Sequence, residues 1–433
     1  MNEASPVSMA GPALAEPAFI PVCRTDVIDA LLSPDLWPSG AQRSDVADVL
    51  NKIGLLRQHK SGEMLNQLSD IYDPFNPDDE TINLTEPSEI ERLEKRRMFN
   101  AKLKELVTSA NFQELQADEL AEILTRASPD GVQVDIDFQE YDVKLMFYRG
   151  ETQHKRSKRD VRLLFLRRRD IVVPTFERLF LAVKFKPAEQ RIEEIMREER
   201  VDEAKARKKL RKLRRMLPPS CSTDHIYLKV FKNIPRYDVE MLYPNIRVKI
   251  KYRDKLQLGG SAVVGTATWA VGTASKLLVA VALSPLMLAG ALATGVGSIM
   301  YAQVRNIVIT RDRYRMQLAQ RLYFQNLANN QGALALMVDE AEEEDVKEEA
   351  LLYVHLLRAP VHISQLEHLR SRVNAFLKQK FDIDVNFDIR DALTRLISVG
   401  LAVQSPAGDL RAVAPEEASQ HLRDRWCRLA EQR

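Results

Sequence analysis

The sequence predicts an α+β membrane protein, on three observations. Residues 256–304 form a run of forty-nine in which Lys276 is the only charged side chain. Between about 131 and 255, β-rich stretches recur with the period of two that marks half-buried strands. Outside these regions, apolar residues recur at helical spacing over long segments. The expected order is a helical N-terminal region, a small antiparallel β-rich domain with a helical insert, a two-helix transmembrane hairpin, and a C-terminal helical and winged-helix-like region.

Lys and Arg number 63 against 61 Asp and Glu, a net charge of +2, so the chain as a whole is no polyelectrolyte. The charge is gathered into blocks, and the blocks carry the local information. Cys23, Cys221 and Cys427 stand far apart with no CxxC spacing. That excludes a disulfide framework and fits a reducing compartment. The first basic residue is Arg24, and Glu3 and Glu16 precede it, so neither a signal peptide nor a transit peptide is expected.

Residues 1–18, rich in Ala, Pro, Ser and Glu, are expected as a tail, and residues 19–130 as the helical region. A short helix is expected over 26–32. A longer one over 44–68 carries Val46, Val49, Leu50, Ile53 and Leu56 on one face. Pro74, Pro77 and a cluster of acids predict a loop over 70–86. Thr85 and Pro87 then predict a helix start, with helices over 87–109 and 116–127. Ser128-Pro129-Asp130-Gly131 is a turn signal. The β-rich domain spans 131–255, with strands expected at 132–138, 143–148, 161–166, 176–185, 226–231 and 246–252. Its helical insert, 188–216, ends at Pro218-Pro219.

The run 256–304 is long enough to cross a bilayer twice, because one crossing takes roughly 20 residues. Basic residues flank it on both sides, Lys251, Arg253 and Lys255 before it and Arg305, Arg311 and Arg313 after it. The positive-inside rule then places both termini in the cytoplasm. Ser284-Pro285 is the favoured turn, and a turn near 273–276 is the other option. Small residues at i, i+4 spacing give each span a packing stripe, Ala262, Thr266 and Ala270 on the first and Gly290, Thr294 and Ser298 on the second.

Two charge blocks flank the hairpin. In the insert, Lys205, Arg207, Lys208, Lys209, Arg211, Lys212, Arg214 and Arg215 fill eight of eleven positions. Leu210, Leu213 and Leu217 form the apolar stripe of the same helix. The cations are expected to contact anionic lipid, or else the acidic helix that follows the hairpin in the region 305–360. In that helix, eight of the eleven residues from Asp339 to Glu349 are acids. The last unit, 361–433, is winged-helix-like: helices over 362–380 and 389–399, a strand near 384–387, a turn at 405–408, and a helix carrying Trp426. Its recognition-helix position offers only Arg390 and Arg395 against Asp391, so nucleic acid is disfavoured as a partner.

No motif announces catalysis. The seven histidines show no zinc spacing. Asp382-x-Asp384-x-Asn386-x-Asp388 begins like a calcium loop, but Phe387 stands where glycine is needed and Leu393 where the bidentate Glu is needed. Gly259-Gly260 with Gly265 lacks the strand-to-helix context of a phosphate loop. No metal and no cofactor are expected.

Short stretches, in order, bring a family into view. They include Phe19-Ile20-Pro21-Val22, Tyr148-Arg149-Gly150, residues 173–178 (VPTFER), 228–235 (LKVFKNIP) with Asp238-Val239-Glu240, Leu242-Tyr243-Pro244, Asn329-Asn330 and Lys347-Glu348. In these the chain resembles the transmembrane protein 143 family, whose shared region is a domain of unknown function. The resemblance covers most of the chain beyond residue 18. It implies a two-span membrane protein, mitochondrial in eukaryotes and here expected in a bacterial inner membrane, and it implies no activity. The expected function is a non-enzymatic integral membrane protein whose cytoplasmic body binds anionic lipid headgroups, a protein partner or a second copy. The alternatives are an enzyme acting on membrane lipid and a membrane-tethered nucleic-acid-binding regulator.

Overall fold

The computed structural model describes residues 17–78, 88–125, 132–159, 168–215, 217–219, 221–244, 247–250, 316 and 322–431. Four helices open the described chain: α1 (Arg24–Leu31), α2 (Gly40–Tyr72), α3 (Glu89–Ser109) and α4 (Ala117–Thr125). The helical spacing read at Val46, Val49, Leu50, Ile53 and Leu56 is the buried face of α2. Helix α3 starts later than Pro87, because Ser88 closes a capping box. The Ser88 hydroxyl accepts from the Glu91 N–H at 3.3 Å, and the Glu91 carboxylate accepts from the Ser88 N–H at 2.8 Å.

The central sheet is antiparallel and five-stranded, ordered β1 (Gln113–Glu114), β3 (Tyr141–Arg159), β4 (Arg168–Phe185), β5 (Tyr227–Pro235) and β7 (Asn326–Asn329). A separate two-stranded ladder joins β2 (Val132–Asp135) to β6 (Arg247–Ile250). The strands expected at 143–148 and 176–185 are parts of β3 and β4, which run on as one long hairpin. The strand expected at 161–166 lies outside the described residues. The insert between β4 and β5 is a helical hairpin, α5 (Ala188–Glu199) and α6 (Glu203–Arg214).

After β7 comes the long helix α7 (Asn330–Arg358), which runs antiparallel to α2. Gln331 reaches Ser69, Asn330 lies by Tyr72, and Glu349 holds Arg57. The two helices thereby join two cores. The N-terminal part of α7, through Leu334, Met337 and Val338, packs with Leu68 of α2 on the sheet face carrying Phe147, Phe180, Leu228 and Val230. The C-terminal part, through Leu351, Leu352 and Leu356, packs with Val49 and Ile53 of α2 and with the last eighty residues of the chain. The opposite sheet face buries Leu179, Leu181, Val183 and Phe185 beneath α4 and the turn carrying Val239 and Tyr243.

The C-terminal unit orders β8 (Val361–His362), α8 (Leu366–Phe381), α9 (Ile389–Ser398), β9 (Ala402–Gln404), β10 (Asp409–Ala412) and α10 (Pro415–Glu431). Its sheet order is β8-β10-β9. Residues 384–387 form no strand, and the third strand of this sheet is β8 instead.

The two-pass membrane architecture does not stand. Residues 256–304, with Ala262, Thr266, Ala270, Gly290, Thr294 and Ser298, lie outside the described residues. Among the described residues no helix is long and apolar enough to cross a membrane. The longest ones, α2 and α7, have the length but carry charges on successive turns, as at Asp48, Lys52, Arg57 and Lys60 in α2. The described chain is an α+β fold built on an antiparallel sheet, and the inner-membrane location falls with the spans.

Candidate functional site

The basic insert stands at one end of the sheet, held there by a buried arginine. Ile192 and Ile195 of α5 pack on Ala206, Leu210 and Leu213 of α6, so each helix covers the apolar stripe of the other. Arg191, 2% exposed, donates from Nε to Glu140 at 3.0 Å and from Nη2 to Asp137 at 3.0 Å. Burial opposes the charge on Arg191, but the Glu140 and Asp137 carboxylates outweigh it and raise the pKa. Arg214 completes the clamp, donating to Glu140 at 3.0 Å and to the Lys186 carbonyl at 2.8 Å.

The eight cations of the insert then divide by partner. Arg214 serves the clamp. Lys205 pairs with Asp202 at 3.3 Å, Arg207 with Glu203 at 2.7 Å, and Lys209 with Glu199. Lys208, Arg211, Lys212 and Arg215 are exposed and have no ion-pair partner among the described residues. Their spacing of three, one and three places them on one helical face. The surface they form is a cationic stripe along α6.

The acidic block does not face this stripe. It is the middle of α7, and cations from five other elements converge on it. Arg149 of β3 and Arg178 of β4 pair with Glu340, at 2.8 and 3.4 Å. Arg24 of α1 pairs with Glu342 at 3.1 Å, and Lys347 of α7 itself with Glu344. Arg57 of α2 holds Glu349, and Arg395 of α9 reaches Asp345 at 3.2 Å, Glu349 at 3.1 Å and also Glu348. Glu344, Glu348 and Glu349 are buried. Burial pushes the Glu348 carboxyl up to about 8, against the pull of Arg395. The expected pairing of insert and acidic helix is absent among the described residues.

A second feature was not legible as a site. Gly150 at φ +73° and Asn233 at φ +53° lie in one row across β3, β4 and β5, with Glu177 between them. The ladder skips this row, pairing Arg149 with Arg178 and Glu151 with Phe176 on either side. The faces invert there: Phe180 points to the α7 side, whereas Phe176 joins the opposite core. A cleft of about 290 Å³ opens at the row, bounded by Phe19, Tyr148, Gly150, Glu177 and Arg236. Arg236 holds Glu119 and lies 3.8 Å from Glu151, so most of the cleft's charge is matched internally. Burial raises the Glu151 carboxyl, against the pull of Arg236. The lone glycine in a charged strand was the sequence signal for this kink.

The calcium-like string is used structurally. Lys378 pairs with Asp382 at 3.0 Å and Asp384 at 2.8 Å, while Asp388 caps α9 by accepting from Arg390 N–H at 3.1 Å. Among the described residues no cluster of His, Cys, Asp and Glu is arranged to hold a metal.

Residues 176–332 match the model of a family described as a protein of unknown function, DUF3754. The match runs from β4 through the α5–α6 hairpin to the first turn of α7. It brings no link to the transmembrane protein 143 family, so that resemblance resolves only as far as this domain. No solved structure matches the chain.

Proposed function

We propose that the chain is a non-enzymatic binding protein whose α6 face docks on anionic lipid headgroups as a peripheral contact. The observation that carries the reading is the stripe of Lys208, Arg211, Lys212 and Arg215, exposed and, among the described residues, without carboxylate partners. Cations in a row on one exposed helical face suit a diffuse negative surface. Each basic residue near an anionic leaflet contributes about 1 kcal/mol, so four give about 4 kcal/mol. That corresponds to an affinity on the order of millimolar, a reversible contact that needs no spanning helix.

The C-terminal unit supports a binding role other than nucleic-acid reading. Arg395, the central cation of α9, is consumed by Asp345, Glu348 and Glu349. The test is flotation of the full chain with phosphatidylcholine vesicles, with and without phosphatidylserine. Binding should require the anionic lipid and weaken as salt shortens the Debye length from about 10 Å at 0.1 M to about 3 Å at 1 M. Substituting Lys208→Glu, Arg211→Glu, Lys212→Glu and Arg215→Glu together should lower the bound fraction. Binding indifferent to lipid charge would sink the reading.

A further inference from the structure

We infer that the cleft at the Gly150 row is part of a binding site for a free basic amino acid, whose α-carboxylate is held by Arg178 and whose α-ammonium is held by Glu177. The site shares no residue with the α6 stripe and does not depend on that reading. It sits where the long ribbon of β3 and β4 meets β5. Beside the cleft of about 290 Å³ lies a second of about 320 Å³, whose lining includes Phe19, Thr152, His154, Glu177, Arg178 and Asn233. Phe19, Arg149 and Glu177 line both clefts, so the two adjoin there. Each has the size at which small-molecule sites begin, roughly 300 Å³. The bare backbone of Gly150 makes room for the Glu177 carboxylate. A Cβ at that position would lie 2.6 Å from Glu177 Oε2 and 3.1 Å from Phe19 Cε1.

Two charged groups of the second cleft are left open. Arg178 donates to Glu340 through Nε alone, at 3.4 Å, and its two Nη groups have no hydrogen-bond partner among the described residues. Glu177 makes neither a hydrogen bond nor an ion pair among the described residues. The two are neighbours along β4 and do not pair with each other. Strand neighbours ordinarily point to opposite faces, and the inversion at this row lets both line one cleft. A guanidinium fork matches a carboxylate through two parallel hydrogen bonds, and a free carboxylate matches an ammonium. A phosphate would meet the fork but be repelled by Glu177, and a simple amine would leave the fork empty. An α-amino acid carries both partners on one carbon. The first cleft then takes the side chain, and its charge selects a cation. Glu119, Glu151 and Glu177 line it against Arg149 and Arg236. Arg149 is committed to Glu340, at 2.8 Å, and Arg236 serves Glu119 and Glu151 together. Tyr148 adds an aromatic ring to the same lining, a favourable surface for an ammonium or guanidinium group.

The test is equilibrium dialysis of the full chain against radiolabelled L-arginine, with unlabelled L-lysine, L-leucine, agmatine and Nα-acetyl-L-arginine as competitors. Agmatine lacks the α-carboxylate, and the acetylated compound has no α-ammonium. The wild type should retain the label, and lysine should displace it. Leucine, agmatine and the acetylated compound should each compete about tenfold more weakly or worse, the loss expected from removing one charged hydrogen bond. Glu177→Gln and Arg178→Gln should each weaken arginine by a similar factor. Both variants should melt close to the wild-type temperature, which separates lost contact from lost fold. Glu177 gives up no bond to a described residue, and Glu340 keeps Arg149 when Arg178 is replaced. No retention of label at millimolar arginine would overturn the inference. So would agmatine or the acetylated compound competing as well as lysine, or either variant binding arginine as the wild type does. Leucine competing as well as lysine would overturn the preference for a basic side chain. No lipid enters the experiment, so each of these results leaves the α6 reading where it stands.

Discussion

Arg395 on α9 donates from Nε to Glu349 on α7 at 3.1 Å, and the same carboxylate accepts from Arg57 on α2. One buried acid thereby fixes the helix of the C-terminal unit against the two long helices that join the cores. Arg395→Ala should cost about 3–5 kcal/mol, because it leaves buried carboxylates without their counter-charge. Urea unfolding measures this, and a loss under about 1 kcal/mol, the worth of a surface pair, would contradict it.

Glu348 makes this cluster sensitive to pH. Its carboxyl is held up to about 8 by burial, while an unfolded chain ionises it near 4.5. The unfolded state therefore releases the proton first, and stability drains away as pH rises through that window. Below 4.5 both states hold the proton and nothing is lost. Glu348→Gln cannot ionise, so its melting temperature should fall less than the wild type's across the window. Parallel curves for the two proteins would refute the assignment.

Gly150 is required twice over at the kink. Its φ of +73° is a left-handed conformation, and a Cβ there would lie 2.6 Å from Glu177 Oε2. Gly150→Ala should destabilise by about 1–3 kcal/mol. Adding Glu177→Ala should recover only the part due to the contact, since the backbone strain remains. Full recovery in thermal unfolding would show that the backbone conformation carries no penalty.

Arg191 decides whether the insert stays docked. Arg191→Ala should destabilise on the order of 3 kcal/mol, because Glu140, 1% exposed, then keeps only Arg214 among the described cations. Hydrogen exchange should quicken across 188–214 ahead of the central sheet. Uniform acceleration over the whole chain would mean that the hairpin does not open separately.

Local features were legible because their causes are local. The spacing of Val46, Val49, Leu50, Ile53 and Leu56 follows from helix geometry, and all five are buried. Ser88 and Glu91, three residues apart, contain the whole start signal of α3. Leu210 and Leu213 mark the inward side of α6, which leaves Lys208, Arg211 and Lys212 outward. The long ribbon was not legible, since its basic residues interrupt the apolar alternation that signals a strand. The apolar run 256–304 suggested spans through composition alone, and among the described residues no helix meets the requirement.

Periodicity and capping therefore stand in the amino-acid order, because they depend on residues within one or two turns of each other. The pairing of charges depends on which elements meet in space. As a string, Asp339 to Glu349 is an acidic helix suited to water or to the basic insert. Folding brings Arg24, Arg57, Arg149, Arg178 and Arg395 to it from five elements, the farthest more than three hundred residues away. Burying so many carboxylates is tolerable only with those cations in place. Those cations come from other elements, and among the described residues the stripe on α6 has no carboxylate partner.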